Sequence, residues 1–308
     1  MMYKSTETHL VTFCMLIPMF VFFIWGLTSC DYQRRKVNHV IIIGIDGMGG
    51  TAIELSDTPT LDSLMEHGAY TLNARGVLPT SSSPNWASMI MGAGPEQHGI
   101  TSNEWQKDHH TLPPIVQGEG GTFPTIFSVV KKASPQSLTG AIYQWKEFGR
   151  LIEKEFVDFD TSALGENRTV ELAREFIVQQ QPAFCFIHID HVDGAGHKWG
   201  YDSEKYHGGV EKADMLIKEI IASVEEAGIK NETLIIISAD HGGNGKSHGG
   251  ETLNEIRIPV ILAGNGVKKN YEIVAHVNIY DIAPTVAYLL GYEPPECWIG
   301  KPITAAFN

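Results

Sequence analysis

Apolar residues fall along this chain in short unbroken runs, each closed by a polar or glycine-rich turn. Val40–Ile45, Ala183–Ile189 and Leu234–Ser238 are nearly continuous apolar stretches, the first and third rich in β-branched residues. Runs of this length and composition predict strands buried on both faces of a sheet, not half-exposed ones. Ala69–Leu78, Leu138–Tyr143 and Ile258–Ala263 predict three further strands. Between them come stretches that read as helices. Thr58-Pro59 opens a short helix that Gly68 closes, and Pro84 suits the first turn of one running through Met91. Residues 124–132, 168–180, 203–227 and 281–290 predict four more, the last two ending at Gly228 and Gly291. This β-then-α alternation predicts an α/β fold: one doubly wound, mostly parallel sheet with helices on both faces, spanning residues 31–308. Residues 92–122 and 144–167 mix Gly, Pro and charged residues and predict small cap or rim inserts.

The three buried runs share an ending. Val40–Ile45 stops at Asp46-Gly47. Ala183–Ile189 runs into Asp190-His191-Val192-Asp193-Gly194-Ala195-Gly196-His197. Leu234–Ser238 runs into Asp240-His241 and, seven residues on, His248. Ligands of open α/β sheets collect at the carboxyl edge of the strands, and carboxylates with imidazoles delivered there suit a metal ion. The glycines predict a tight loop that brings Asp193 and His197 to one ion, with Asp190 and His191 in support. His188 lies within the strand and reads as a core residue. Ser81-Ser82-Ser83 precede Pro84, so a hydroxyl stands at a helix N-terminus, where backbone N–H groups and the helix dipole favour a phosphate. An N-cap role fits the same serines.

Net charge changes the picture in one respect. The chain has 308 residues and a formal charge of −13, which residues 1–30 do not alter, since they carry only Lys4 and Glu7. A duplex nucleic-acid partner is disfavoured on electrostatic grounds. Leu10–Leu27 is apolar except at Thr12, Pro18 and Gly26 and ends in Leu27-Thr28-Ser29-Cys30. That pattern predicts an export signal over residues 1–30. Its ending resembles a bacterial lipobox, which implies membrane attachment through a lipidated Cys30. The run is also long enough to serve as an uncleaved anchor. In an exported protein Cys185 and Cys297 are open to a disulfide, although a buried free thiol suits Cys185 equally.

Taken in order, Gly44-Ile-Asp46-Gly47, Pro79-Thr-Ser-Ser82-Ser-Pro-Asn85, Asp193-Gly-Ala-Gly-His197, Asp240-His241-Gly242 and His248-Gly249-Gly250-Glu251 resemble the alkaline phosphatase superfamily, most closely its nucleotide pyrophosphatase/phosphodiesterase branch. The resemblance implies two zinc ions, other divalent metals being open. One is held by Asp193, His197 and His248, the other by Asp46, Asp240 and His241 together with the Ser82 oxygen. It implies Ser82 as nucleophile, a phosphoseryl intermediate, and Asn85 as the residue holding a non-bridging phosphate oxygen of a small phosphate ester. A serine hydroxyl is a weak nucleophile at neutral pH and needs such activation.

The relatives of that superfamily bound the reading. Sulfatases require an Arg where Trp86 stands. The cytoplasmic mutases are disfavoured by the export signal. A phosphomonoesterase or a phosphonate hydrolase would present the same ligands. Monoesters carry an extra charge, and no Arg lies close in sequence to Ser82 except Arg75, on the preceding strand. That balance favours a diester. Trp86, Trp105 and Tyr143 are open to lining a substrate pocket, with core packing as their ordinary use.

Overall fold

The computed structural model describes Met1, Met2 and residues 37–308; the readings on Leu10–Leu27 and Cys30 lie outside the described residues. Among the described residues no helix is long and apolar enough to cross a membrane. Eight strands form one sheet: β1 (His39–Ile45), β2 (Ala69–Arg75), β3 (Thr139–Tyr143), β4 (Phe159–Ser162), β5 (Phe184–Ile189), β6 (Thr233–Ser238), β7 (Arg257–Gly264) and β8 (Tyr271–Glu272), in the order β4-β3-β5-β1-β6-β7-β2-β8. Only β7 runs against its neighbours, pairing antiparallel with both β6 and β2. The sheet is thus mostly parallel, as the unbroken apolar runs predict.

The helices fall into two mutually packed groups. Pro59–Glu66, Glu166–Gln180, His191–Trp199 and Glu204–Glu226 make one; Ser82–Met91, Ile126–Ala133 and Ile282–Leu290 make the other. Covered in this way, β5 and β6 bury every residue, and β1 every residue but His39. Full burial of an Ile, Leu or Val is worth roughly 1.5–3 kcal/mol, so these strands contribute heavily to holding the centre of the sheet together. The register aligns Ile45 with Ile189, and Gly44 with Ser238. Asp46, Asp190 and Asp240 therefore leave the sheet side by side at one edge.

Two local differences from the sequence reading matter for the site. β2 ends at Arg75, short of Leu78. Residues 191–199 form a helix where a tight loop was expected. Asp193 and His197 stand four residues apart, so a helix places them on one face, while a side chain at Gly196 would meet the Tyr201 ring at 2.6 Å. Cys185 and Cys297 are free thiols, the first buried.

Candidate metal centre and nucleophile

Ser82 is the first residue of the helix Ser82–Met91, 6% exposed, with its Oγ 3.4 Å from His241 Nε2. The same imidazole nitrogen lies 3.5 Å from Asp46 Oδ1 and 3.2 Å from Asp240 Oδ2. His241 Nδ1 sits 2.7 Å from the Gly242 carbonyl, to which it donates, so Nε2 presents its lone pair to the carboxylates. Asp240 Oδ1 accepts from Gly47 N at 3.1 Å. Its Oδ2 and Asp46 Oδ1 are buried with no hydrogen-bond partner. Two orphaned carboxylate oxygens and an imidazole lone pair facing one another are a donor set that fits a divalent cation.

A second set adjoins the first. His197 Nε2 is 3.2 Å from Asp193 Oδ2, and His248 Nε2 is 3.8 Å from Asp193 Oδ1. Both rings are fixed through Nδ1 by carbonyls, His197 by Lys246 at 3.0 Å and His248 by Thr80 at 2.9 Å. Each therefore offers Nε2 to an ion, the second-shell arrangement typical of metal-binding histidines. Tyr201 donates its hydroxyl to Asp193 Oδ1. The His241 and His248 rings stack at 3.7 Å, so the two sets abut. Donor atoms of Asp193, His197 and His248 lie within 4.8 Å of one another, as do those of Asp46, Asp193 and His241. Asp193 thus stands in both sets, whereas the sequence reading gave the second to Asp46, Asp240 and His241.

The loop before Ser82 is tied to these residues. Thr80 Oγ1 donates to the Gly250 carbonyl at 2.7 Å and accepts from Gly249 N at 3.0 Å. Gly47 turns at φ +71°, and a Cβ there would meet Asp193 at 2.9 Å, so the close approach of the two aspartates needs glycine.

Electrostatics follows burial. Burial first, then repulsion from Asp240 and Asp193, pushes the Asp46 carboxyl well above the ordinary range, and burial pushes Asp240 up likewise. Burial also acts to raise Asp193, but its hydrogen bond with His197, the nearby His241 and the Tyr201 hydroxyl hold it at about 2. The hydrogen bond to Asp193 in turn holds His197 up at about 9. A cation in this cluster relieves the carboxylate repulsion that burial enforces.

The structure redistributes several sequence-predicted roles. Asn85 is fully buried: its Nδ2 donates to the carbonyls of Ser81, Pro79 and Val77 at 2.9, 3.1 and 3.3 Å, and its Oδ1 accepts from Val77 N. It braces the loop that leads into Ser82, with its amide directed at backbone carbonyls. Asn103 takes up the position beside the helix start, accepting from Ser83 N through Oδ1 at 2.8 Å. Pro84 has no N–H and that of Ser83 is taken, so the helix N-terminus offers fewer donors to a phosphate than three serines suggest. Arg150 supplies the guanidinium that was not evident near Ser82: its Nη2 donates to Ser83 Oγ at 3.1 Å and to the Asn103 carbonyl. His191 turns to Gly209 O at 2.9 Å and does not support the ligands. His188 and Trp86 are buried, and both bond Asp46 Oδ2. Trp105 and Tyr143 are buried too. A cavity of about 830 Å³, lined by Pro59, Leu64, Ile221 and Val224 among others, contains none of the candidate site residues. Converging donor atoms, not cavity size, locate the chemistry.

A family profile described as Type I phosphodiesterase / nucleotide pyrophosphatase matches residues 40–256, more than two-thirds of the chain. The chain belongs to that family. Among its relatives is an uncharacterized pyrophosphatase/phosphodiesterase of Schizosaccharomyces pombe, 25% identical over 66% of this chain and 44% of that protein. A venom phosphodiesterase of Crotalus durissus collilineatus is 24% identical over 70% of this chain and 27% of its own length. Ectonucleotide pyrophosphatase/phosphodiesterase family member 1 of Mus musculus is also 24% identical, over 76% and 26%. This family member therefore spans less than half the length of these relatives. Its fold is that of murine ectonucleotide pyrophosphatase/phosphodiesterase 5 solved with AMP, with a TM-score of 0.74 at 14% identity over 88% of this chain and all of that one. Wild-type alkaline phosphatase PafA has the same fold, with a TM-score of 0.74 at 12% identity over 90% of this chain and all of that one.

Proposed function

We propose that this chain is an exported hydrolase of phosphodiester or pyrophosphate bonds that uses two zinc ions and a phosphoseryl intermediate on Ser82. The observation that carries the reading is Ser82 Oγ 3.4 Å from His241 Nε2, inside a cluster of three aspartates and three histidines whose free donor atoms face one another. Asp193, His197 and His248 would hold one ion, and Asp46, Asp240 and His241 the other, with Asp193 close to both. Bound there, the ions supply Lewis-acid charge for the attacking and leaving oxygens.

The chain's own residues do the rest. Ser82 Oγ forms the new O–P bond as the bond to the leaving oxygen breaks. Water then cleaves the Ser82–phosphorus ester and returns the hydroxyl. Asn103 Nδ2, its Oδ1 anchored on Ser83 N, donates to a non-bridging oxygen in the role expected of Asn85. Asn85 holds the loop that aims Ser82. The named ectonucleotide and venom relatives support an exported location, and attachment through Cys30 remains part of the proposal.

Arg150 favours a second reading, in which the substrate is a phosphomonoester. A guanidinium fixed by hydrogen bonds to Ser83 Oγ and the Asn103 carbonyl suits a dianion better than a diester. Comparing kcat/KM for an aryl phosphodiester and the matching monoester on the zinc-loaded protein separates the two. The diester reading expects the diester to be faster, and Arg150→Met to change it less than about tenfold, about 1.4 kcal/mol. A faster monoester reaction that collapses in Arg150→Met would replace it with the phosphatase reading.

A further inference from the structure

The Asp46 carboxylate has two unlike oxygens. Oδ2 accepts from Trp86 Nε1 at 3.1 Å and lies 3.0 Å from His188 Nε2. Oδ1 is buried without a partner and faces His241 Nε2 at 3.5 Å. Backbone Trp145 N approaches His188 Nδ1 at 3.5 Å, and a backbone amide only donates. That leaves the His188 proton on Nε2, so His188 also donates to Asp46 Oδ2. Both donors are immobile. Trp86 and His188 are fully buried and meet edge to face at 5.0 Å, and the Trp86 indole is packed against Phe148 and Phe186. A Cβ on Gly44 would strike its ring at 2.6 Å, so glycine in β1 is what lets the indole reach the carboxylate.

We propose that Trp86 and His188 are positioning residues that clamp Asp46 Oδ2 and leave Oδ1 alone to the ion. A carboxylate free to turn can offer a metal both oxygens. One held by two donors offers a single oxygen in a set direction, and leaves room for Ser82 and the substrate on the same ion. The inference rests on the two-ion reading above. It also competes with a third cation site, because donor atoms of Asp46, His188 and Asp190 lie within 4.8 Å of one another. An ion there requires a His188 Nε2 lone pair, which the Trp145 contact opposes.

The test counts and titrates metal. Trp86→Phe keeps an aromatic ring and deletes the N–H; His188→Phe deletes the other donor; His188→Gln restores one. Zinc stoichiometry and affinity would be measured by chelator competition, and the cobalt-substituted proteins examined by visible absorption, with the thermal midpoint of each metal-free variant as a packing control. The expected result is two ions in the unaltered protein. Each deletion then weakens one of them by about 10–100-fold, with a shifted cobalt spectrum at that site, the other ion unaffected, and recovery in His188→Gln. Unchanged affinities in the variants would overturn the clamp alone, as would a parallel loss at both sites that tracks the metal-free midpoint. A third ion lost in His188→Phe would make His188 a ligand. Fewer than two ions in the unaltered protein would overturn the two-ion reading, and the clamp with it.

Discussion

Ser82→Ala is expected to lower kcat/KM by roughly 10⁴–10⁶-fold, the scale seen when a covalent nucleophile is deleted, while both metal ions stay bound. At 1.36 kcal/mol per tenfold this is roughly 5–8 kcal/mol of transition-state stabilisation. The magnitude follows from the site's construction. Ser82 is presented by a helix start whose loop is locked by Asn85, and by Thr80 contacts to the His248 loop. A water molecule replacing the hydroxyl inherits the ions but not that placement. Ser83 cannot substitute, because its Oγ is engaged by Arg150. Steady-state kinetics beside metal analysis of the same preparation checks the prediction. Ser81→Ala and Ser83→Ala should stay within about tenfold of the parent, a difference of 1.4 kcal/mol.

Removing the metal should lower the slope of stability against pH between pH 5 and pH 8. In the metal-free protein Asp46 and Asp240 have raised folded pKa values, so the native state binds protons that the unfolded chain releases, and stability falls as pH rises from the unfolded value of about 3.8. His197 is raised to about 9, so its contribution is complete below about 6.5 and is lost as pH rises toward 9. Asp193 is lowered to about 2, so its contribution is present above 3.8 and lost as pH falls toward 2. Asp46, Asp240 and His197 therefore favour low pH in the metal-free protein. The buried imidazoles of His98 and His188, held down at about 3 and about 4, and those of His191 and His248, also lowered, act the other way: their contribution is present above about 6.5 and lost as pH falls. The share of the site is read from the difference between the loaded and metal-free curves. Zinc needs deprotonated carboxylates and neutral imidazoles, so the loaded protein should gain stability from pH 5 to pH 8. An ion at 100 times its Kd adds about 2.7 kcal/mol, or about 5–10 °C per site at 2–4 °C per kcal/mol. Asp240→Asn should then raise the metal-free midpoint at pH 8, by deleting a buried charge, and bind one ion fewer. Thermal melts with and without chelator at pH 5 and pH 8 decide this. Parallel curves in both metal states would contradict it.

What was legible in the sequence was local. Each of β1, β5 and β6 is a buried apolar run with an aspartate within a few residues of the strand end, so the fold and the candidate cluster could be read together. The helix at 191–199 was missed because Gly194 and Gly196 look like loop formers. Gly196 is there for the Tyr201 ring, and the four-residue spacing of Asp193 and His197 already allowed a helix. Asn103 and Arg150 were missed for a different reason. They lie in the inserts 92–122 and 144–167, which carry no hydrophobic period, and reach Ser83 only because the fold returns those segments to the nucleophile helix. Asn85 belongs to the quoted motif, and its hydrogen bonds all go to backbone, which its place in the sequence does not reveal. Trp86 and His188 read as core, and are core, but each has one polar atom whose partner is fixed only by the register of β1 with β5.

The most direct measurement is to trap the covalent intermediate. Zinc-loaded protein would be mixed with a slow aryl phosphodiester, quenched in acid and mapped by peptide mass spectrometry. The account predicts the phosphoryl fragment esterified to Ser82, absent after chelation. A label on Ser81 or Ser83, or turnover without any labelled serine, would contradict it.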